Sequence, residues 1–214
     1  MPTRIFIGLC VVFILSGSST ALAALVSKIV GKVGDYYLTS REVVASRLLE
    51  KELFPEQKVT VVESGEDPAF VMQVTAVILE KVVSLEAESF SVAAVSEEDE
   101  KEFIIRAKRM LAGQKAWQKL DMSAIELQDL VARKLRSKKF LKYKTESSSL
   151  TVTDFEVKEY YEKSRYKFGS IPFESFKENI RQFLIQKQTE DRLREWFEVL
   201  RKKYQVRNYL AEST

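Results

Sequence analysis

Glycine and proline are scarce in this chain, and their positions constrain its fold more than any other feature. The 214 residues contain 7 glycines and 4 prolines. Between them lie long, charge-rich segments with apolar residues at helical spacing. This pattern predicts a mainly α fold of five or six helices with little sheet. The internal breaks fall at Gly31, Gly34, Pro55, Gly65, Pro68, Gly113, Gly169 and Pro172.

Capping sequences mark the predicted helix starts. Asp67-Pro68 joins an N-cap residue to a proline at the first helical position, and Ser96 precedes an acidic run that favours a helix N-terminus. Pro172 is predicted to open the longest helix, and Thr145–Ser149 is predicted to be a polar linker. Three segments have the form of a capping box, with Ser or Thr three residues before Glu: Thr39–Glu42, Ser123–Glu126 and Thr153–Glu156.

A small β-sheet is predicted where the two ends of the chain meet. Val26–Val33 and Tyr36–Leu38 flank Gly34-Asp35, as in a hairpin. Gln205–Tyr209 alternates enough for a last strand that pairs antiparallel with this hairpin. A further brief strand is expected at Val59–Val62, inside a loop over 56–66.

The first 23 residues predict export. Arg4 is followed by an apolar run over Ile5–Leu15 and then by Ala21-Leu22-Ala23, which has the A-x-A form of a cleavage site. The run is shorter than the roughly 20 residues that a bilayer-spanning helix needs, so cleavage near Ala23 is favoured over an uncleaved anchor. Cys10 lies inside the apolar run, whereas a lipid-bearing cysteine would lie at the cleavage point. Residues 1–23 are therefore a predicted signal peptide.

Removal of this segment leaves a chain without cysteine or histidine. Such a chain forms no disulfide and must depend on an apolar core. Its 33 basic and 31 acidic residues give a net charge of +2, which disfavours a nucleic-acid partner. Without imidazole, histidine-dependent triads and histidine metal sites are excluded. No carboxylate pair is marked as catalytic, so we expect a protein that is not an enzyme and needs no cofactor.

Three segments resemble, in order, parts of the SurA and PrsA-like chaperones. Ile29–Val43 is similar to the opening strand, turn and "I-T-x-x-E/D-V" step of that family, with Leu38 in place of isoleucine and Gly31 where asparagine is common. Leu150–Lys163 is similar to its "V-T-D-E-E-V-K-x-Y-Y-E-K" helix, and Ile171–Arg181 to its "P-F-E-x-V-K-x-x-I" helix.

The segment between the second and third matches departs from the family. There the parvulin isomerase domain separates the two helices, whereas here only Ser164–Ser170 lies between them. The chain also lacks the histidines typical of parvulin sites. The resemblance implies a SurA-type helical module in one composite domain. Residues 24–149 would form the N-terminal helical chaperone region, and residues 150–214 the C-terminal helices and strand that pack back on it.

The resemblance also implies a function. We expect a periplasmic chaperone that binds unfolded or newly exported proteins, outer-membrane proteins among them, without isomerase activity. One alternative is a helical adaptor with one dedicated folded periplasmic partner, and another is an isomerase with an unrecognised site. Methionine and aromatic side chains suit promiscuous binding. The candidate client-binding residues are Met110, Trp117, Met122, Phe140 and Tyr143, which could equally be core residues.

A basic run in the middle of the chain has two interpretations. It could attract anionic lipid headgroups at a membrane surface or acidic clients. It could equally be a solvated helix face with Leu135 and Leu141 turned inward. The run comprises Arg133, Lys134, Arg136, Lys138, Lys139, Lys142 and Lys144.

Overall fold

The computed structural model describes residues 27–63, 67–90, 94–147 and 151–213, and the predicted signal peptide lies outside this part of the chain. The fold is mainly α with a small sheet, as predicted. The strands are β1 (Ile29–Val33), β2 (Tyr36–Thr39) and β3 (Arg207–Asn208). The helices are α1 (Ser40–Leu53), α2 (Pro68–Glu88), α3 (Glu97–Leu111), α4 (Lys115–Lys119), α5 (Ala124–Ser147), α6 (Asp154–Lys163), α7 (Arg165–Phe168), α8 (Lys177–Lys203) and α9 (Tyr209–Glu212).

The sheet joins the two ends of the described chain in the order β2-β1-β3, with both pairings antiparallel. Gly34 turns the hairpin at φ 59°, a left-handed conformation that glycine adopts without steric cost. Its amide donates to the carbonyl of Tyr204 at 2.7 Å. The hairpin and the last strand are confirmed, although β3 is shorter than predicted. Asn208 ends it because its side chain caps α9 and accepts from the amide of Leu210 at 3.1 Å.

The five capped helix starts are also confirmed. Asp67 accepts from the amide of Ala69, and Ser96 from that of Asp99. The Ser123 and Thr153 boxes form with reciprocal hydrogen bonds to their glutamates. Thr39 caps α1, but the carboxylate of Glu42 binds Tyr36 and Arg133. A residue that the local pattern assigns to a cap thus belongs to a tertiary network.

Helix α2 lies at the centre of the core, where its apolar residues pack on several sides. It packs against α1, α5 and β1, and Phe70, Val74 and Val82 are fully buried. Within the described ranges α2 is also the one helix long and apolar enough to cross a membrane. The position of α2 in this core also explains why the helix is so apolar. The far end of α8 is tied to α2, where Glu86 accepts from Lys203 at 2.5 Å and from Tyr204 at 2.8 Å.

A second apolar cluster lies between α6 and the first half of α8. Val152, Val157, Tyr161 and Ile180 are buried there, and aromatic side chains from the segment between the two helices pack around them. The hydroxyl of Tyr161 donates to the carbonyl of Ile171 at 2.6 Å. Helix α8 therefore serves two clusters, this one with its first half and the α2 core with its second.

Three local predictions are wrong. Val59–Val62 is irregular and not a strand, because Lys58 takes a left-handed conformation with φ 44° after the 3-10 turn Pro55–Gln57. Thr145–Ser149 is not a linker over its described part, because α5 continues to Ser147 and its polar side chains bond to carbonyls of the same helix. The last long helix begins at Lys177, after a separate 3-10 turn that follows Pro172. The short helices α4, α7 and α9 were not predicted.

Gly31 lies where β1 is closest to α2 and β3. A Cβ atom there would be 2.8 Å from Cδ1 of Ile78 and 3.0 Å from the carbonyl oxygen of Arg207. We expect Gly31→Ala to lower the free energy of unfolding by about 1–3 kcal/mol through overpacking, as measured by urea denaturation. Gly113→Ala is the control, since no atom of the described residues lies within 4 Å of its Cβ position. Equal stability of the two variants would contradict the packing argument.

Candidate functional site

A cleft of about 940 Å³ opens beside α5. Ligand sites in proteins commonly measure about 300–1,000 Å³, so this volume suits a small ligand or a short peptide segment. The hairpin, α1, α2, the turn between α4 and α5, and α5 itself contribute to its walls. The residues that line the cleft include Tyr36, Arg41, Glu42, Lys81, Glu88, Lys119, Leu120, Asp121, Met122, Glu126, Asp129, Leu130, Arg133 and Arg136.

Four charged residues of α5 follow the cleft from end to end. Glu126, Asp129, Arg133 and Arg136 are spaced so that they fall on one face of the helix. At 1.5 Å per residue this row is about 15 Å long. Its first two members are acidic and its last two are basic. The charge of this face of α5 therefore changes sign along the helix.

Arg41 of α1 holds the acidic end in place. Its guanidinium donates to the carbonyl of Leu120 at 2.5 Å, to the carbonyl of Asp121 at 2.6 Å, and to the carboxylate of Glu126 at 2.5 Å. The hydrogen bond from Arg41, followed by that from the Ser123 amide, lowers the pKa of Glu126 to about 2. Glu126 is thereby kept ionised, and the turn between α4 and α5 is fixed to α1.

A buried ion-pair network lies behind the basic end. Arg133 and Lys134 are only 7% and 1% exposed. Arg133 donates to Glu80 at 2.8 Å and also to Glu42, while Lys134 donates to Glu80 and, at 3.3 Å, to Glu50. Among the described residues, Nη2 of Arg133 has no hydrogen-bond partner although it is buried. The network joins α1, α2 and α5 through charge.

The network shifts the pKa values of its members. Burial raises the pKa of Glu80, but the charges and hydrogen bonds of Lys134 and Arg133 outweigh that effect and bring it to about 2. Burial lowers the pKa of Arg133, whereas Glu80 and Glu42 raise it, and the net direction is upward. Burial and the neighbouring Glu42 raise the pKa of Tyr36. At neutral pH Glu80 and Arg133 are therefore charged, and the phenol of Tyr36 is neutral.

Lys81 extends into the cleft from the centre of α2. Its ammonium lies 4.2 Å from the centre of the Tyr36 ring, and it forms no ion pair with any described residue. Burial, and then the positive charge of Arg133, lowers its pKa. Glu42 and Glu88 act on its pKa in the opposite direction, so Lys81 is a partly buried cation with carboxylates near it but no ion pair to a described residue.

Four aromatic side chains form a second candidate surface, which we name the aromatic patch. Phe140 is its buried centre, with a ring centroid 5.2 Å from that of Phe90, 6.2 Å from Tyr143 and 5.9 Å from Trp196. Phe90 is 45% exposed and Tyr143 is 40% exposed. Lys144 lies over the Trp196 ring at 5.3 Å. The patch offers aromatic surface to solvent on an ordered support.

The five predicted client-binding residues do not share one surface. Phe140 and Tyr143 meet in the aromatic patch, although Phe140 is only 1% exposed and supports the patch from beneath. Met122 lines the cleft, and Trp117 packs against the main core. Met110 is half-buried on α3.

The interpretation of the basic run as a surface is wrong for Arg133 and Lys134. Both are buried because Glu80, Glu42 and Glu50 from neighbouring helices neutralise them, so neither faces a membrane or bulk water. In the same run, Arg136 pairs with Glu88, and Lys138 with Glu50. Lys139 and Lys142 remain exposed.

Several residues of both surfaces escaped sequence reasoning. Lys81 and Asp129 of the cleft, and Phe90 and Trp196 of the patch, were not singled out. One signal was present for the cleft, because Glu80-Lys81 interrupts the apolar run of α2. A charged pair inside a helix that packs on several sides calls for partners within the core. Phe90 and Trp196 carried no comparable local signal.

Two further findings bear on identity. Within the described ranges, no three His, Cys, Asp or Glu side chains converge as a metal site would require. No protein-family model, no curated protein and no solved structure matches this chain. The resemblance to SurA and PrsA-like chaperones therefore rests on the three quoted segments alone.

Proposed function

We propose that this protein is a non-enzymatic periplasmic chaperone that holds unfolded or newly exported polypeptides, outer-membrane proteins among them. The observation that carries the proposal is the aromatic patch. Phe90 and Tyr143 expose close to half of their surface around the buried ring of Phe140. Exposed apolar surface of this kind commonly marks a contact site for other proteins.

The chemistry of the patch suits partners without a fixed shape. Aromatic rings offer a large contact area and lose little conformational entropy on binding, because they have only two side-chain torsions. The packing of Phe140 against Val83 and Ala87 of α2 holds the centre of the patch in place. Lys144, above Trp196, adds a cation at the edge that interacts with acidic groups of a client. The patch therefore combines a rigid support with contacts that do not require a particular client sequence or shape.

The sequence supports the same function independently. The three segments that resemble SurA and PrsA-like chaperones come in the family's order and follow a predicted signal peptide. The missing parvulin segment and the absence of histidine argue for holding activity without isomerisation.

An aggregation assay tests the proposal. The mature chain is mixed at equimolar ratio with a urea-unfolded outer-membrane β-barrel protein, and light scattering is followed after dilution. We expect wild type to suppress scattering and the double variant Phe90→Ser/Tyr143→Ser to lose most of this effect. Truncation of an interface aromatic costs about 1–2 kcal/mol, or roughly fivefold to thirtyfold in affinity.

The matched control is Phe155→Ser/Tyr166→Ser, which removes two aromatic rings that are 76% and 81% exposed but lie outside the patch. It should suppress scattering as well as wild type. If the control loses activity as fully as the patch variant, the patch is not the client surface. If wild type has no effect on scattering and isolates one stoichiometric folded partner from periplasm, the chain is an adaptor.

A further inference from the structure

We propose that the cleft beside α5 binds an extended peptide segment that carries one acidic and one basic side chain two residues apart. Lys81 would receive the carboxylate, and Asp129 would receive the basic group. This inference concerns a different surface from the aromatic patch. It goes beyond the proposed function, and the result of the aggregation assay neither supports nor contradicts it.

The basic end of the cleft holds a cation, Lys81, with which its carboxylate neighbours form no ion pair. The two carboxylates of this end that also line the cleft are already engaged, Glu42 by Tyr36 and Arg133, and Glu88 by Arg136 at 2.6 Å. Lys81 forms no ion pair with a described residue and rests over the Tyr36 ring. A partly buried cation gains from a carboxylate that reaches it, because part of its desolvation cost has already been met. The orphaned Nη2 of the buried Arg133 adds positive potential at the same place.

The acidic end of the cleft holds a carboxylate, Asp129, with which the neighbouring cations form no ion pair. Glu126 is bound by Arg41, whereas Asp129 is exposed and has no hydrogen bond or ion pair with any described residue. Lys119 also lines the cleft but forms no ion pair with Asp129. Lys81 and Asp129 thus lie in the same cleft with charges of opposite sign, and neither forms an ion pair with a described residue.

The spacing of the two ends fits an extended chain. Lys81 lies close enough to Arg133 for their charges to interact, and Arg133 is four positions from Asp129, which corresponds to about 6 Å along α5. In an extended peptide, side chains two residues apart point the same way and lie about 7 Å apart. Leu120, Met122 and Leu130 line the same cleft and offer apolar contact to the peptide. A lipid surface fits less well, because it carries one sign of charge.

Fluorescence anisotropy with short labelled peptides tests the inference. The probe is a fluorescein-labelled, C-terminally amidated heptapeptide with a central Glu-Ala-Lys, and two further peptides replace its Glu or its Lys by Gln. We expect wild type to bind the parent about tenfold more tightly than either, since tenfold corresponds to one charge-assisted contact. Lys81→Met should abolish only the preference for the peptide that carries Glu. Asp129→Asn should abolish only the preference for the peptide that carries Lys.

Two further variants separate charge recognition from misfolding. Lys81→Arg keeps the cation and should retain the preference for Glu. Lys32→Met removes a lysine that lies 5.5 Å over the Tyr37 ring outside the cleft, and it should retain both preferences. Equal affinity of wild type for the three peptides would overturn the inference. So would a loss of both preferences in Lys32→Met, or a full Glu preference in Lys81→Met.

Discussion

Replacement of Glu80 by glutamine is expected to lower the free energy of unfolding by about 3–5 kcal/mol, because removal of one partner leaves buried charges uncompensated. Glu80 is the carboxylate shared by Arg133 and Lys134, and its own side chain is only 11% exposed. Glutamine keeps the size of the side chain but removes the charge that offsets the two cations. Urea denaturation followed by circular dichroism at pH 7 measures the effect.

The control for this variant is Glu88→Gln on the same helix. Glu88 pairs with Arg136, but its side chain is 53% exposed, so its loss should change stability by no more than about 1 kcal/mol. If the two variants unfold at the same urea concentration, the buried network contributes no more to stability than the exposed ion pair of Glu88.

The pH dependence of the Glu80 effect has a defined sign. The folded state lowers the pKa of Glu80 from 4.5 to about 2. Its stabilising contribution is therefore complete above pH 4.5 and is lost as the pH falls towards 2. The stability difference between wild type and Glu80→Gln should shrink across that window and stay constant from pH 6 to 8. A difference that grows on acidification would contradict the assignment.

Replacement of Phe140 by alanine is expected to cost about 3–5 kcal/mol of stability and also to abolish chaperone activity. Phe140 is 1% exposed, and it contacts the rings of Phe90, Tyr143 and Trp196. Its loss would leave a cavity and let the exposed rings collapse. Thermal unfolding and the aggregation assay measure the two effects.

Tyr143→Ala separates the two roles of the patch. Tyr143 is 40% exposed, so its removal should cost under about 1 kcal/mol of stability and still weaken client binding. If Tyr143→Ala destabilises the protein as much as Phe140→Ala, the ring is a core residue. If Phe140→Ala leaves unfolding unchanged, the patch has no rigid support.

Features fixed by neighbouring residues were predictable from the sequence. The caps at Thr39, Asp67, Ser96, Ser123 and Thr153 are local hydrogen bonds, and each was found where its pattern placed it. The hairpin and the central helix follow from periodicity in the same way. The wrong boundaries have local causes too, because polar residues near the end of α5 bond within their own helix.

The candidate surfaces depend on contacts across the chain, which periodicity does not encode. Arg133 meets Glu42 and Glu80, residues from two other helices. Lys134 is buried because its partners, Glu50 and Glu80, lie inside the helical core. The basic run in the sequence therefore led to a wrong prediction of its exposure. In the aromatic patch, Phe140 and Tyr143 were predicted because aromatic side chains suit promiscuous binding. Phe90 and Trp196 approach them from elsewhere in the chain.

The pairing of β3 with β1 has a consequence for biosynthesis. Gly31 and Lys32 pair with Asn208 and Arg207, at opposite ends of the described chain. A polypeptide emerges from the ribosome with its N-terminus first, so β1 keeps one open edge until β3 is released. Long-range pairing of this kind is slow to form. Completion of the sheet therefore waits until β3 has been synthesised and has reached β1.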